Sequence, residues 1–250
     1  MPYVKEMCRA GNTIEISKYY TERYHTKGEK RAKKEKPTCE AQARVNLRRA
    51  IKELRRLMNH NFVDGDYLLR FDFYNFIKMH GLLDSEMMQK LIEKFFDKLR
   101  RRLKKAGIPL KYIYVKEIGP RGGRHVHIVM NECPPNLLSE CWPHGGIHID
   151  PLHSNGQYAR IADYFAKYAA KTEETEGKLI GKRWYPSRNL KRPIVIKKII
   201  SARKFYTAIR EKKGYTLDKN SIRQGIHEFT GYAFFSYTLI KNDEKRTRGG

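Results

Sequence analysis

The amino-acid sequence predicts an α+β protein built on an antiparallel sheet. Two long segments, residues 40–59 and the segment between Ser85 and Gly107, repeat apolar side chains every three and four positions, which indicates amphipathic helices. Two strand-like segments, residues 111–118 and 124–130, flank a glycine-rich turn and indicate a β-hairpin. A hairpin pairs its strands antiparallel, and the alternation of strands with helices around it favours the α+β class.

The first half of the chain supplies a helix, a turn, a strand and a second helix. Over residues 40–59, apolar side chains lie on one helix face and arginines on the other. Residues 64–66 read Asp-Gly-Asp and predict a turn, and the aromatic and branched residues 67–73 predict a strand. Ser85 begins the second helix, which ends at a Lys/Arg cluster before Gly107 and Pro109.

The second half continues from the hairpin into an irregular segment over residues 131–145. A short strand over residues 146–150 and a helix over residues 158–171 follow, and the residues from there to 190 have the composition of a loop. Residues 190–240 predict a small further unit that ends in an aromatic strand.

Composition divides the chain into three parts. Residues 1–38 are expected to form a basic N-terminal arm and linker, because residues 27–38 are almost all charged and cannot bury themselves. Residues 39–190 are expected to form the main domain. The helix that begins this range is expected to be an N-terminal extension of the domain. Residues 191–250 form a small C-terminal α/β extension whose role the sequence does not assign.

The chain is strongly basic. Its 250 residues carry 52 Lys and Arg against 27 Asp and Glu, a formal net charge of +25. Such an excess repels itself unless a polyanion binds, so nucleic acid is the expected partner, with a membrane surface or another acidic partner as the alternative. The sequence lacks an apolar run long enough to cross a membrane, a signal-like stretch in residues 1–25 and any CxxC pair. We therefore expect a reduced, cytoplasmic protein with no membrane partner and no small-molecule cofactor.

A His-Val-His motif lies in the second hairpin strand. Strand alternation puts His125 and His127 on one face. If the hairpin is symmetric about Arg121, Glu117 lies opposite His125, with Cβ atoms roughly 5 Å apart. Two imidazoles and a carboxylate suit Mn²⁺ or Mg²⁺, which can polarise a phosphate oxygen. The alternative is an exposed strand face without a ligand, and a second, wider-spaced set of possible ligands is Cys133, Cys141, His144 and His148.

The helix over residues 158–171 carries two tyrosines and two lysines on one face, at i, i+3, i+4 and i+7: Tyr164, Lys167, Tyr168 and Lys171. Its other side is a slim apolar surface that can lie close against a sheet: Ala162, Phe165, Ala166 and Ala169. A tyrosine hydroxyl is a poor nucleophile at neutral pH unless positive charge stabilises its phenolate, which the lysines supply. Tyrosine, metal and phosphate together predict a covalent phosphotyrosine, with a second tyrosine able to accept the chain later. The alternative is a solvated helix face.

These motifs, taken together, resemble the HUH endonucleases, and among them the rolling-circle replication initiation (Rep) proteins of phages and plasmids. The YxxKYxxK helix resembles the paired-tyrosine helix of microvirus initiators. Further residues resemble the relatives of the filamentous-phage gene II protein: Asn61-Phe62 with Gly65-Asp66, Glu117 with Gly123-Arg124-His125-x-His127, and Trp142 with Gly145. The resemblance spans about residues 45–190.

The resemblance implies a ferredoxin-like nickase domain with a central antiparallel sheet flanked by helices. It implies that His125 and His127 bind the metal, with Glu117 as the candidate third ligand. It further implies tyrosine attack on single-stranded origin DNA, which leaves a 5′-phosphotyrosine and a free 3′ hydroxyl. The tyrosines follow the histidines, as in initiators rather than conjugative relaxases. Because the sequence has no Walker A motif, we expect a host helicase and polymerase as partners.

Several basic residues are candidate DNA contacts. Arg121 lies in the turn of the hairpin, Arg124 directly follows that turn, and Arg70 lies in the first strand. Arg188, after Tyr185, is placed along the DNA only by the resemblance. Two other functions remain open, a non-catalytic basic nucleic-acid-binding protein and an HUH transposase or mobilisation enzyme with the same chemistry. The order in which the tyrosines attack is also open.

Overall fold

A computed structural model describes residues 3–21, 40–119, 122–176, 183–205, 207–228 and 231–242, without the side chains of residues 40–42 and 170–176. The strands in these ranges are β1 (Tyr3–Ala10), β2 (Thr13–Tyr20), β3 (Tyr67–Asp72), β4 (Tyr112–Ile118), β5 (Arg124–Met130), β6 (Ile147–Pro151), β7 (Tyr185–Pro186), β8 (Ile194–Ile200), β9 (Tyr215–Ile226) and β10 (Ala233–Lys241). The α-helices are α1 (Glu40–Asn61), α2 (Tyr74–His80), α3 (Ser85–Lys105), α4 (Pro135–Cys141) and α5 (Ala159–Glu176).

The described residues form two compact units, each with one five-stranded antiparallel sheet. The first unit takes its described residues from Met1–His60, Asn155–Gln157 and Arg192–Gly250, and the second from Asn61–Ser154 and Tyr158–Lys191. The prediction of an α+β fold built on antiparallel sheet is confirmed.

The second unit has the strand order β6-β3-β5-β4-β7. Helix α3 covers one face of this sheet and buries its apolar stripe, which runs from Met88 to Leu103, against strand residues such as Phe71, Val126 and Ile128. Asp84 caps the helix by accepting a hydrogen bond from the Met87 backbone N–H at 2.6 Å. The predicted helix, turn, hairpin and first strand of this unit are therefore confirmed.

Helix α5 packs against β4 on the opposite sheet face. The slim apolar surface predicted for this helix is buried throughout: Ala162, Phe165, Ala166 and Ala169. Three small side chains let the helix backbone approach the sheet closely, which brings the polar face of α5 near the strands. The helix continues to Glu176, so the prediction of a loop from residue 172 is wrong at its start.

Two short helices were not predicted. Residues 131–145 were expected to be irregular, yet α4 forms within them because a proline starts its first turn and Leu138 and Cys141 are buried in the core. Helix α2 has no fully buried residue, although Phe76 and Ile77 pack against the core, and its seven residues are fewer than a periodic pattern needs to be recognised.

The first unit corrects two predictions. Residues 3–20 form the hairpin of β1 and β2, not part of a basic arm, and the charged segment 27–38 lies outside the described residues. The described C-terminal residues supply β8, β9, β10 and a single 3₁₀ turn, so the expected α/β extension is a β-structure. Both ends of the chain join one sheet, of order β8-β1-β2-β10-β9, because strands exposed at their edges gain hydrogen bonds by pairing with each other. Helix α1 belongs to this unit and does not lead the main domain.

Candidate functional site

The strand register of the second unit brings polar side chains together on the sheet face that α5 covers. Glu117 of β4 pairs directly with His125 of β5, as the hairpin symmetry predicted. On the other side of β5, Asp72 of β3 pairs with His125 and Arg70 pairs with His127. Because directly paired residues of antiparallel strands share a face, three adjacent strands contribute to one polar surface.

Glu117 and His127 form a direct contact within this surface. The Nε2 atom of His127 lies 2.6 Å from Oε2 of Glu117, and both side chains are buried. Burial, followed by the neighbouring charges of His125 and Arg70, lowers the pKa of His127 to about 4. A lowered pKa favours the neutral imidazole at pH 7, and the contact with the Glu117 carboxylate fixes the orientation of the ring.

Both tyrosines of α5 pack against the ring of His127. The ring centroids of His127 and Tyr168 are 4.6 Å apart and nearly parallel, and those of His127 and Tyr164 are 5.3 Å apart and perpendicular. The two tyrosine rings lie 4.2 Å from each other. Tyr164 is 39% exposed, whereas Tyr168 is half-buried. Burial and a hydrogen bond with Tyr164 raise the pKa of Tyr168.

Two lysines, Lys167 and Lys171, share the helix face of the tyrosines. Lys167 is exposed one turn along from Tyr164. The backbone of Lys171 lies in α5, but its side chain is outside the described part of the chain.

The three residues predicted to bind a metal have suitable donor chemistry. The Nδ1 atom of His125 is buried and has no hydrogen-bond partner within the described ranges, and His127 is neutral. An imidazole nitrogen without a protein partner, a neutral imidazole and a carboxylate fit a divalent cation. Within the part of the chain that the structure describes, however, no three His, Cys, Asp or Glu side chains are grouped so that they could hold a metal ion. The second set of possible ligands, Cys133, Cys141, His144 and His148, does not form such a group either, and its two cysteines are buried in the apolar core.

The predicted DNA contacts do not converge on one surface. Arg70 is exposed and pairs in register with His127, so it belongs to the polar surface. Arg124 pairs with Ile118, and strand alternation assigns it to the face opposite His125. Arg188 lies on the α3 side, beside Tyr112 and Tyr185. Arg121 is outside the described residues.

Asp72 is a site residue to which the sequence assigned no role. Its Oδ1 accepts hydrogen bonds from the backbone N–H groups of Tyr74 and Gly146, each at 3.0 Å. A Cβ atom at Gly145 would lie 2.2 Å from the same oxygen, so only glycine fits there. Alternation from Arg70 along β3 was the available signal, since it places Asp72 on the same face.

The central part of the chain, which includes the hairpin and α5 up to residue 173, matches a known family. Residues 79–173 match the family model of the replication-associated protein ORF2/G2P. The match includes His125, His127 and both tyrosines, and it supports a Rep protein of the rolling-circle type, a role in replication initiation and DNA as a partner. The search of curated proteins and the search of solved structures gave no match. Among the described residues, no helix is both long and apolar enough to cross a membrane.

Proposed function

We propose that this protein initiates rolling-circle replication by nicking single-stranded origin DNA with a tyrosine of α5, aided by a divalent cation. The observation that carries the proposal is the contact of His127 with both Tyr164 and Tyr168. Simple nucleic-acid binding requires neither two tyrosines packed against a buried histidine nor a carboxylate bonded to that histidine. The match to a replication-associated family supports the same proposal.

The proposed reaction exchanges one phosphoester bond for another. The phenolate oxygen of a tyrosine attacks the phosphorus, a bond forms between them, and the bond from phosphorus to the 3′ oxygen breaks. The tyrosine loses a proton and the 3′ oxygen takes one up, so the step needs no oxidant, reductant or nucleotide. The products are a 5′-phosphotyrosine and a free 3′ hydroxyl.

The surrounding residues position the phosphate and the nucleophile. Arg70 is exposed on the polar surface and Lys167 on the tyrosine face, where both can contact DNA phosphates. A divalent ion bound by Glu117, His125 and His127 would supply positive charge that polarises the scissile phosphate. Glu117 holds the ring of His127 in place, and that ring supports both tyrosine rings.

Tyr164 is the proposed first nucleophile because it is the more accessible tyrosine. It is 39% exposed, whereas Tyr168 is half-buried and stacked flat on His127. Tyr168 would then serve a later transfer, since its ring contacts that of Tyr164.

The test is a search for a covalent protein–DNA adduct on a denaturing gel. Labelled single strands that include the natural origin strand are incubated with the protein and Mn²⁺ or Mg²⁺, with and without EDTA. Tyr164→Phe, Tyr168→Phe and the double variant are compared with Tyr74→Phe, a control at an exposed tyrosine outside α5.

We expect an EDTA-sensitive adduct with the wild type, Tyr74→Phe and Tyr168→Phe, and none with Tyr164→Phe or the double variant. An adduct that survives in both single variants would show interchangeable tyrosines and refute the proposed order. No adduct from any origin strand would refute nicking and leave a DNA-binding protein.

A further inference from the structure

A groove of about 1040 Å³ lies in the second unit between α3 and the sheet edge formed by β4 and β7. Tyr114, on its floor, faces α3, whereas Val115, the next residue, faces α5. The groove is therefore on the opposite side of the sheet from the tyrosines of α5. Arg188, which the proposed nicking site does not use, lines it.

The groove contains a ladder of stacked aromatic rings. The rings of Phe96 and Tyr112 are nearly parallel at 3.6 Å, and those of Tyr114 and Tyr185 are parallel at 4.7 Å. Phe96 joins the two pairs, with its centroid 5.4 Å from that of Tyr114. Tyr112 and Tyr185, at the two ends, are half-buried residues that line the groove, and Nζ of Lys116 lies 5.7 Å from the centroid of the Tyr185 ring. Flat rings of this kind stack with nucleobases of any sequence.

Three basic residues line the groove. Arg100 and Lys104 belong to α3, and Arg188 precedes Asn189, which bonds to the backbone of Leu110 just after the helix. Two carboxylates also line the groove. Asp97 is paired with Arg100 at 2.6 Å, and Glu93 accepts a hydrogen bond from Gln89 nearer the start of α3.

We propose that this groove binds unpaired nucleotides of DNA outside the nicking site. The bases would stack on Tyr112 and Tyr185, and the phosphates would contact Lys104 and Arg188. The stacking faces favour a single strand over a duplex, whose bases are already stacked on each other. The inference goes beyond the proposed function, since binding in the groove involves no nicking chemistry.

The test measures DNA binding by fluorescence anisotropy in EDTA, with a labelled single-stranded 12-mer and the duplex of the same sequence. The variants are Tyr185→Ala, Tyr185→Phe and the double variant Lys104→Ala/Arg188→Ala. The matched control is Arg101→Ala/Lys105→Ala, which removes the same charge from exposed positions on the same helix that do not line the groove.

We expect Tyr185→Ala to raise the single-strand Kd about ten-fold and Tyr185→Phe to leave it near the wild-type value, because the phenyl ring still stacks. Lys104→Ala/Arg188→Ala should reduce the slope of log K against log salt concentration by roughly 1.4, which is two phosphate contacts on a single strand. The charge control should change the slope less. Iododeoxyuridine placed in the 12-mer should crosslink to Tyr112 or Tyr185.

The proposal is overturned if the groove variants stay within about two-fold of the charge control, or if they weaken duplex and single-strand binding equally. Unchanged circular dichroism and melting temperature of Tyr185→Ala exclude unfolding as the cause of weaker binding. The binding assay and the adduct assay test the two proposals separately. A wild type that forms no adduct but binds through the groove refutes the nicking proposal alone, and an adduct with groove-independent binding refutes the groove alone.

Discussion

Replacing Arg56 with methionine should destabilise the first unit by about 3 kcal/mol at neutral pH. Arg56 is 3% exposed, and its Nη2 donates hydrogen bonds to Oε1 of Glu6 at 2.5 Å and to Oε1 of Glu15 at 2.6 Å. Methionine fills similar space but removes the charge, so two buried carboxylates lose their shared partner. Lys52, at 3.1 Å from both carboxylates, remains, which keeps the loss at the lower end of the range for a broken buried pair.

The pKa of Glu15 gives an independent magnitude. Burial alone raises this pKa, but the attraction of Lys52, Arg55 and Arg56 outweighs burial and lowers it from 4.5 to about 2. That difference corresponds to about 3 kcal/mol of stabilisation by the ionised carboxylate, shared among the three cations. The pKa of Glu6 is lowered as well, against the same effect of burial.

The pH dependence has a definite sign. Because the pKa of Glu15 is lower in the folded than in the unfolded protein, its stabilisation is complete above pH 4.5 and is lost as the pH falls through about 2. At pH 3 roughly 1.4 kcal/mol of it remains. The difference between wild type and Arg56→Met should therefore be smaller at pH 3 than at pH 7, and Glu6, whose pKa is lowered further, retains part of it.

Guanidinium denaturation at the two pH values, followed by far-UV circular dichroism, measures these free energies. Hydrogen exchange of the β2 peptide assigns the change to the first unit. Arg48→Met, at an exposed arginine of the same helix, is the control. The reasoning is refuted if the two variants differ by less than about 0.5 kcal/mol at pH 7, or if their difference does not change with pH.

Three further predictions concern closely packed positions. Phe165→Ala should lower the free energy of unfolding by about 3–5 kcal/mol, because the ring is fully buried on the inner face of α5. Thermal unfolding measures this loss, and a value below about 1 kcal/mol would contradict the packing. Gly145→Ala should cost about 1–3 kcal/mol, because the new Cβ would lie 2.2 Å from Oδ1 of Asp72; an unchanged melting temperature would contradict the close approach. Cys8 and Cys133 should resist iodoacetamide at pH 8 in the native protein, because burial raises the pKa of each thiol to about 11. Mass spectrometry with and without guanidinium measures the labelling, and rapid labelling of the native protein would contradict the burial of these thiols.

Local patterns explain why much of the second unit was predictable. The apolar periodicity of α3 arises within one helix, and its Asp84 cap is three residues from the N–H group it binds. The pairing of Glu117 with His125 followed from hairpin symmetry, because a short turn fixes the register of the two strands it joins.

Pairing between distant segments explains what was missed. β1 pairs with β8, almost two hundred residues further along the chain, and β10 pairs with β2. Buried side chains alternate along β1, but Glu6 is among them and Met7 is not, so apolar residues do not alternate in the sequence. A charged segment follows, and no local pattern indicates which strand β1 pairs with. Which edges meet is decided by the burial and hydrogen bonding of the whole sheet.

The sequence by itself determined the α+β class, the hairpin with Glu117 opposite His125, and a tyrosine helix with one apolar side. Each depends on periodicity or turn geometry within a few residues. Only the tertiary structure decided that Tyr164 and Tyr168 contact His127, and that Arg188 lies on the other side of the sheet. These placements follow from which sheet face each helix covers, and that choice depends on how segments far apart in the chain bury their apolar surfaces together.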